Sequence, residues 1–221
     1  MIDARLLPLQ RRLLAGPGAW LAARGATADQ VTLCGFALGL LSVPALAGGY
    51  VLTALALIVV NRLFDGLDGA VARASGPHPR GAFLDISADF LFYALVPLGF
   101  AMADPAANAL PAAVLIAAFM GTGSSFLAFA AVAAAQGRGS ADYPDKGIPY
   151  IGGLTEGAET IGVFVAMCLF PQQFAWLAYG FAAACTLTTA SRWVAGWRAF
   201  SPGAQPLPTP AESDRSRRRA I

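Results

Sequence analysis

Apolar residues in this chain do not alternate with polar ones. They run in long blocks, and the polar positions gather in the gaps between blocks. Six blocks stand out, near 28–48, 51–72, 83–103, 108–134, 150–170 and 173–195. Each has about 20 residues, enough to cross a hydrocarbon core of roughly 30 Å as an α-helix. The pattern predicts an all-α integral membrane fold of six transmembrane helices. Ahead of the blocks, residues 2–15 mix leucines with Arg5, Arg11 and Arg12, which predicts an N-terminal amphipathic helix lying in the membrane interface. Pro8 argues for two short pieces there, and Gly16-Pro17-Gly18 for a break after it. Pro44, Pro97 and Pro111 fall inside blocks and predict kinks. The small residues at 121–125 predict close helix contact. The membrane domain takes up 1–200. The proline-rich, arginine-ended stretch 201–221 predicts a disordered basic tail.

Composition agrees. Of 221 residues, 57% are hydrophobic and 13% charged, against about 25% charged in soluble domains, so no separate soluble module is expected. The placement of charge sets the orientation. With the N-terminus in the cytoplasm, all 15 lysines and arginines fall on the cytoplasmic side, and the external connections carry only Asp104. This asymmetry predicts a multi-pass protein with both termini inside. Cys34, Cys168 and Cys185 lie within apolar blocks at no metal-ligand spacing and read as small apolar residues. Nothing in the pattern points to a nucleic acid.

Candidate chemistry lies where the second and third blocks meet. Asp65 and Asp68 are about 60° apart on one helix face, and Asp85 and Asp89 about 40° apart on the next. The connection 75–79, Ser-Gly-Pro-His-Pro, is a tight turn. Two antiparallel helices would therefore present two acids each to one another at the cytoplasmic edge of the membrane. Carboxylates beside hydrocarbon are costly and repel one another unless cations hold them. Hard oxygen donors suit Mg²⁺ or Mn²⁺, and four carboxylates can hold two such ions for work on a phosphate. Gly69, Ala72 and Gly81 leave the face bare for a phosphorylated ligand, and Arg73 offers it a fork of donors.

Asp65-x-x-Asp68-Gly69-x-x-Ala72-Arg73, a spacer of seven residues, then Gly81-x-x-x-Asp85-x-x-x-Asp89 resembles the signature of the CDP-alcohol phosphatidyltransferases. The spacer is one residue shorter than usual. A second similarity lies at the start of the first block, where Asp29 and Thr32 stand where the family often has asparagine and threonine. The resemblance implies transfer of a phosphatidyl group from CDP-diacylglycerol to a small alcohol, with release of CMP. It implies two Mg²⁺ or Mn²⁺ ions on Asp65, Asp68, Asp85 and Asp89, with Asp89 also taking the proton of the attacking hydroxyl. Asp29, Thr32, Asp65, Asp68, Gly69, Ala72, Arg73, Gly81 and Asp85 would meet CDP-diacylglycerol. A homodimer in the lipid membrane is implied as well.

Arg138, Lys146 and Arg192 are candidate contacts to a phosphorylated acceptor such as glycerol 3-phosphate or inositol phosphate, favoured over serine or choline. Glu156 and Glu159 share a helix face and would suit a cationic acceptor or pair with Arg192. His78, alone between two prolines, is expected to be exposed and idle. The alternative reading is a divalent-cation transporter using the same acids. Against it, no internal repeat is evident and the acids cluster at one edge, where transporters place their site near the midplane.

Overall fold

The computed structural model describes residues 3–136 and 153–201, and these form helices joined by short connections. In order they are α1 (Asp3–Ala23), α2 (Ala28–Leu40), the short α3 (Ser42–Ala47), α4 (Val51–Ser75), α5 (Pro79–Ala103), α6 (Pro105–Ala135), α7 (Gly157–Leu169) and α8 (Phe174–Ala199). A single 3-10 turn at Pro171–Gln173 joins the last two. Local chemistry accounts for the helix starts. Thr27 and Gln30 cap α2 reciprocally, each side chain accepting from the other's backbone N–H. Pro79 and Pro105 occupy first-turn positions where no N–H is needed. Gly76, at φ 94°, takes a left-handed conformation after α4 and lets the chain turn into α5 within a few residues.

Three features differ from the sequence expectation. The N-terminal helix is neither split at Pro8 nor ended at residue 15; α1 runs unbroken through Pro8 and Pro17 to Ala23. Packing overrides the breakers here, because α1 lies against α4 with Gly18 on Ala70 and Gly66 under Gln10 and Leu14. The first block is interrupted at Leu41, where Ser42 Oγ bonds to Gly39 O at 2.6 Å and Pro44 has no N–H to continue the ladder. By contrast, α5 and α6 run on through Pro97 and Pro111. Among the described residues of the fifth block, the helix begins only at Gly157, because Gly153 to Glu156 are tied by side-chain bonds. There, Thr155 N donates to Thr188 Oγ1, and Gly153 N donates to Glu156 Oε1. Arg138, Lys146 and the tail beyond Ser201 lie outside the described residues.

Among the described residues, three stretches are long and apolar enough to cross a membrane: Ala28–Ala47, Pro79–Ala103 and Pro105–Ala135. α7 and α8 meet the same test together, bent by 116°. α4 has the length, but Arg62, Asp65, Asp68 and Arg73 crowd its second half and lower its apolarity.

The core runs through the middle of the bundle. Phe92, Leu115, Phe119, Phe164, Met167 and Phe174 are buried in it, with Phe100 stacked on Phe174 at 4.6 Å. Small residues allow the helices to close. A Cβ on Gly121 would stand 3.1 Å from Thr189 Oγ1, and one on Gly123 3.0 Å from Phe90, as the 121–125 stretch suggested. Gly35 lies directly against Phe64 of α4. Gly35→Ala is therefore expected to lower the thermal midpoint in detergent, by about 1–3 kcal/mol of overpacking. Gly162→Ala, with nothing within 4 Å of the new methyl, should be neutral or gain up to about 1 kcal/mol. Equal midpoints for the two variants would contradict this packing.

Candidate active site

The acids converge where the C-terminal half of α4 meets the N-terminal half of α5. Asp65, Asp85 and Asp89 each bring a carboxylate oxygen within 4.8 Å of the others. Asp68, only 5% exposed, lines the same small pocket and is held by α2, where Thr32 Oγ1 donates to its Oδ2 at 2.6 Å. Helical spacing puts both acids of each pair on one face, and the Gly76 turn sets the two faces opposite one another. All the donors are hard oxygens, the set Mg²⁺ and Mn²⁺ prefer, so the residues fit such an ion.

A cavity of about 570 Å³ opens from the cluster. One side carries Asp65, Asp85, Asp89, Gly69 and Arg73, with Arg11 from α1. The other carries Thr122, Thr155, Glu156, Thr160, Cys185 and Arg192. A Cβ on Gly69 would stand 3.2 Å from Arg73 Nη1, so that face is open except for the guanidinium lying over it. Arg192, 7% exposed, donates from Nη1 to Thr122 O at 2.9 Å, while its buried Nε has no hydrogen-bond partner among the described residues. Glu156 is close enough to Arg192 to act on it electrostatically.

Other candidates fall elsewhere. Asp29 is paired with Arg80 at 2.7 Å, joining the starts of α2 and α5, and a Cβ on Gly81 would stand 3.2 Å from its Oδ1. Ala72 is partly buried one helical turn past Asp68, outside the cavity lining. Glu159 does not line the cavity, and His78 is exposed, as expected.

Sequence reasoning missed the part played by Arg62, which was counted only among the cytoplasmic-side cations. Its guanidinium meets Asp89 Oδ1 at 2.6 Å and Asp65 Oδ1 at 3.5 Å, and donates to Asn61 Oδ1 and Tyr93 Oη. A signal was present: an arginine inside an apolar block, one helical turn before the first acid. Tyr93, four residues past Asp89, shares that acid's face in the same way.

Fold and site together define a helical integral membrane protein with a cluster of carboxylates, suited to a divalent cation, that opens into a large cavity. Residues 26–194 match the model of the CDP-alcohol phosphatidyltransferase family, and the chain belongs to that family. Its activity is accordingly that of a phosphatidyltransferase. The chain is 52% identical to inner membrane protein YnjF of Escherichia coli (strain K12) over 197 residues, covering 89% of this chain and 96% of that one. Its fold is similar to that of Mycobacterium tuberculosis phosphatidylinositol phosphate synthase (PgsA1) in two crystal structures. The structure with CDP-DAG bound has a TM-score of 0.68 at 23% identity, covering 89% of this chain and 98% of that one. The structure with manganese and citrate has a TM-score of 0.68 at 22% identity, covering 88% and 92%.

Thr32→Val keeps the side-chain shape and removes the donor to Asp68. The expected result is a loss of about 1–3 kcal/mol in site function, read as a roughly tenfold or greater fall in transferase rate with the fold intact. An unchanged rate would show that Asp68 does not depend on α2.

Proposed function

We propose that this enzyme transfers the phosphatidyl group of CDP-diacylglycerol to a phosphorylated polyol, of the glycerol 3-phosphate or inositol phosphate kind, and releases CMP. The observation that carries this reading is the convergence of Asp65, Asp85 and Asp89 within 4.8 Å at the mouth of a cavity that also holds Arg73 and Arg192. That a protein of the same fold binds CDP-DAG in one crystal and manganese in another supports the same donor and a similar ion here.

In this reading Asp65, Asp68, Asp85 and Asp89 hold two Mg²⁺ or Mn²⁺ ions. When bound, such ions neutralise diphosphate charge and favour in-line displacement at phosphorus. Arg73 meets the diphosphate, Gly69 leaves room for the nucleotide, and Thr32 steadies Asp68; Ala72 and Gly81, which do not line the cavity, would serve the nucleotide only by being small. Asp29 belongs with the nucleotide contacts and would have to exchange its Arg80 partner for the ligand. Asp89 accepts the proton of the acceptor hydroxyl. The acceptor oxygen forms a bond to the phosphorus bearing the diacylglycerol, and the bond from that phosphorus to CMP breaks, so CMP leaves with the bridging oxygen. Arg192, with Arg138 and Lys146, receives the acceptor's phosphate. Arg192 supports this role best, since it lines the cavity and its buried Nε has no hydrogen-bond partner among the described residues. Six spans, a cytoplasmic site, cytoplasmic termini and a homodimer complete the proposal.

The test is CMP release from CDP-diacylglycerol with Mg²⁺ and a panel of alcohols. Phosphorylated polyols should stimulate release where serine and choline do not; the reverse order would assign Arg192 and Glu156 to an amino alcohol. Asp89→Asn should lower kcat by about 10²–10⁴-fold, and near-normal turnover would remove it as the base. Arg192→Gln should raise the acceptor KM by about tenfold or more and leave the KM for CDP-diacylglycerol unchanged.

A further inference from the structure

Arg62 has no place in the chemistry above, yet its side chain is held from several sides. It sits on α4 one turn before Asp65, and its side chain is 16% exposed. Nε and Nη2 both donate to Asn61 Oδ1, at 3.0 and 2.9 Å. Asn61 is itself anchored, its Nδ2 donating to Gly35 O on α2 at 3.0 Å. Nη1 donates to Tyr93 Oη at 3.3 Å, and the guanidinium carbon lies 5.5 and 5.6 Å from the Phe92 and Tyr93 ring centroids. What remains of the fork faces the acids, 2.6 Å from Asp89 and 3.5 Å from Asp65. A guanidinium held on this many sides is a fixed charge, not a surface arginine that happens to reach an acid.

A fixed cation changes the charge balance of the cluster. Four carboxylates are neutralised by two divalent ions. With a guanidinium added, two ions leave one positive charge in excess, while a single ion leaves one negative charge. We propose that Arg62 is a positioning residue, a tethered counter-ion that holds Asp65 and Asp89 toward the cavity and takes over part of the charge of the second divalent ion. The nucleotide-free enzyme then holds one divalent ion tightly and the second weakly. This inference rests on the metal reading of the aspartate cluster given above.

The test counts Mn²⁺ bound to detergent-solubilised, nucleotide-free protein, by the loss of the free-ion EPR signal, together with the thermal midpoint in EDTA. Wild type should bind one Mn²⁺ tightly, with a second at least about tenfold weaker. Arg62→Met keeps the stem and removes the charge. It should bind two ions of similar affinity, unfold at a lower temperature in EDTA, and recover more on adding Mn²⁺ than wild type does. Arg62→Lys should restore the wild-type count, which a merely structural role would not require. Two equally tight ions in wild type would overturn the proposal without recourse to any variant, as would an unchanged count in a folded Arg62→Met protein. No Mn²⁺ bound to wild type or to either variant would overturn the metal reading itself and this inference with it.

Discussion

The structure depends on the mutual repulsion of carboxylates packed into a largely apolar bundle. Asp65, Asp68, Asp85 and Asp89 line one pocket, and Asp68 is almost wholly buried. Burying charge without compensation costs several kcal/mol per ion in a real protein, more than a single well-packed contact can offset. The residues around the acids answer that cost. Arg62 stands between Asp89 and Asp65, Thr32 donates to Asp68, and Asn61 and Tyr93 hold Arg62 in place. A cluster arranged in this way, with oxygens left facing a cavity, is suited to cations.

The bundle serves the cluster by bringing three helices close together. Glycines set the approach: Gly18 and Gly66 seat α1 on α4, and Gly35 seats α2 on α4. The α2 contact is also the route by which Thr32 reaches Asp68 and Asn61 reaches Gly35 O. In lipid, where apolar burial gives little drive for association, such close approach and the polar bonds it permits carry much of the packing. The aromatic core farther along α5, α6, α7 and α8 fixes the opposite wall, where Arg192 crosses from α8 to the Thr122 carbonyl of α6.

Much of this was legible in the sequence. The two pairs of acids, their helical spacing and the turn between them were enough to expect convergence, and three of the four carboxylates meet within ligand range. The long apolar blocks mark where the helices lie. Boundaries were less legible wherever tertiary contacts outweighed local propensity. α1 runs through Pro8 and Pro17 because α4 holds it, and α7 starts late because Thr155 and Glu156 are engaged before it begins. Arg62 was read as orientation charge because a tally of cations by side takes no account of which side chains reach inward. Asp29 stands where the family often has asparagine, and its pairing with Arg80 is a contact between distant parts of the chain that spacing cannot reveal.

The proposed chemistry requires a divalent ion lying among Asp65, Asp85 and Asp89. Crystals grown with Mn²⁺ and measured at the manganese absorption edge test this most directly. An anomalous peak about 2.0–2.3 Å from oxygens of those three side chains is the predicted result. A peak elsewhere in the cavity, or none with the acids closed on Arg62, would contradict it.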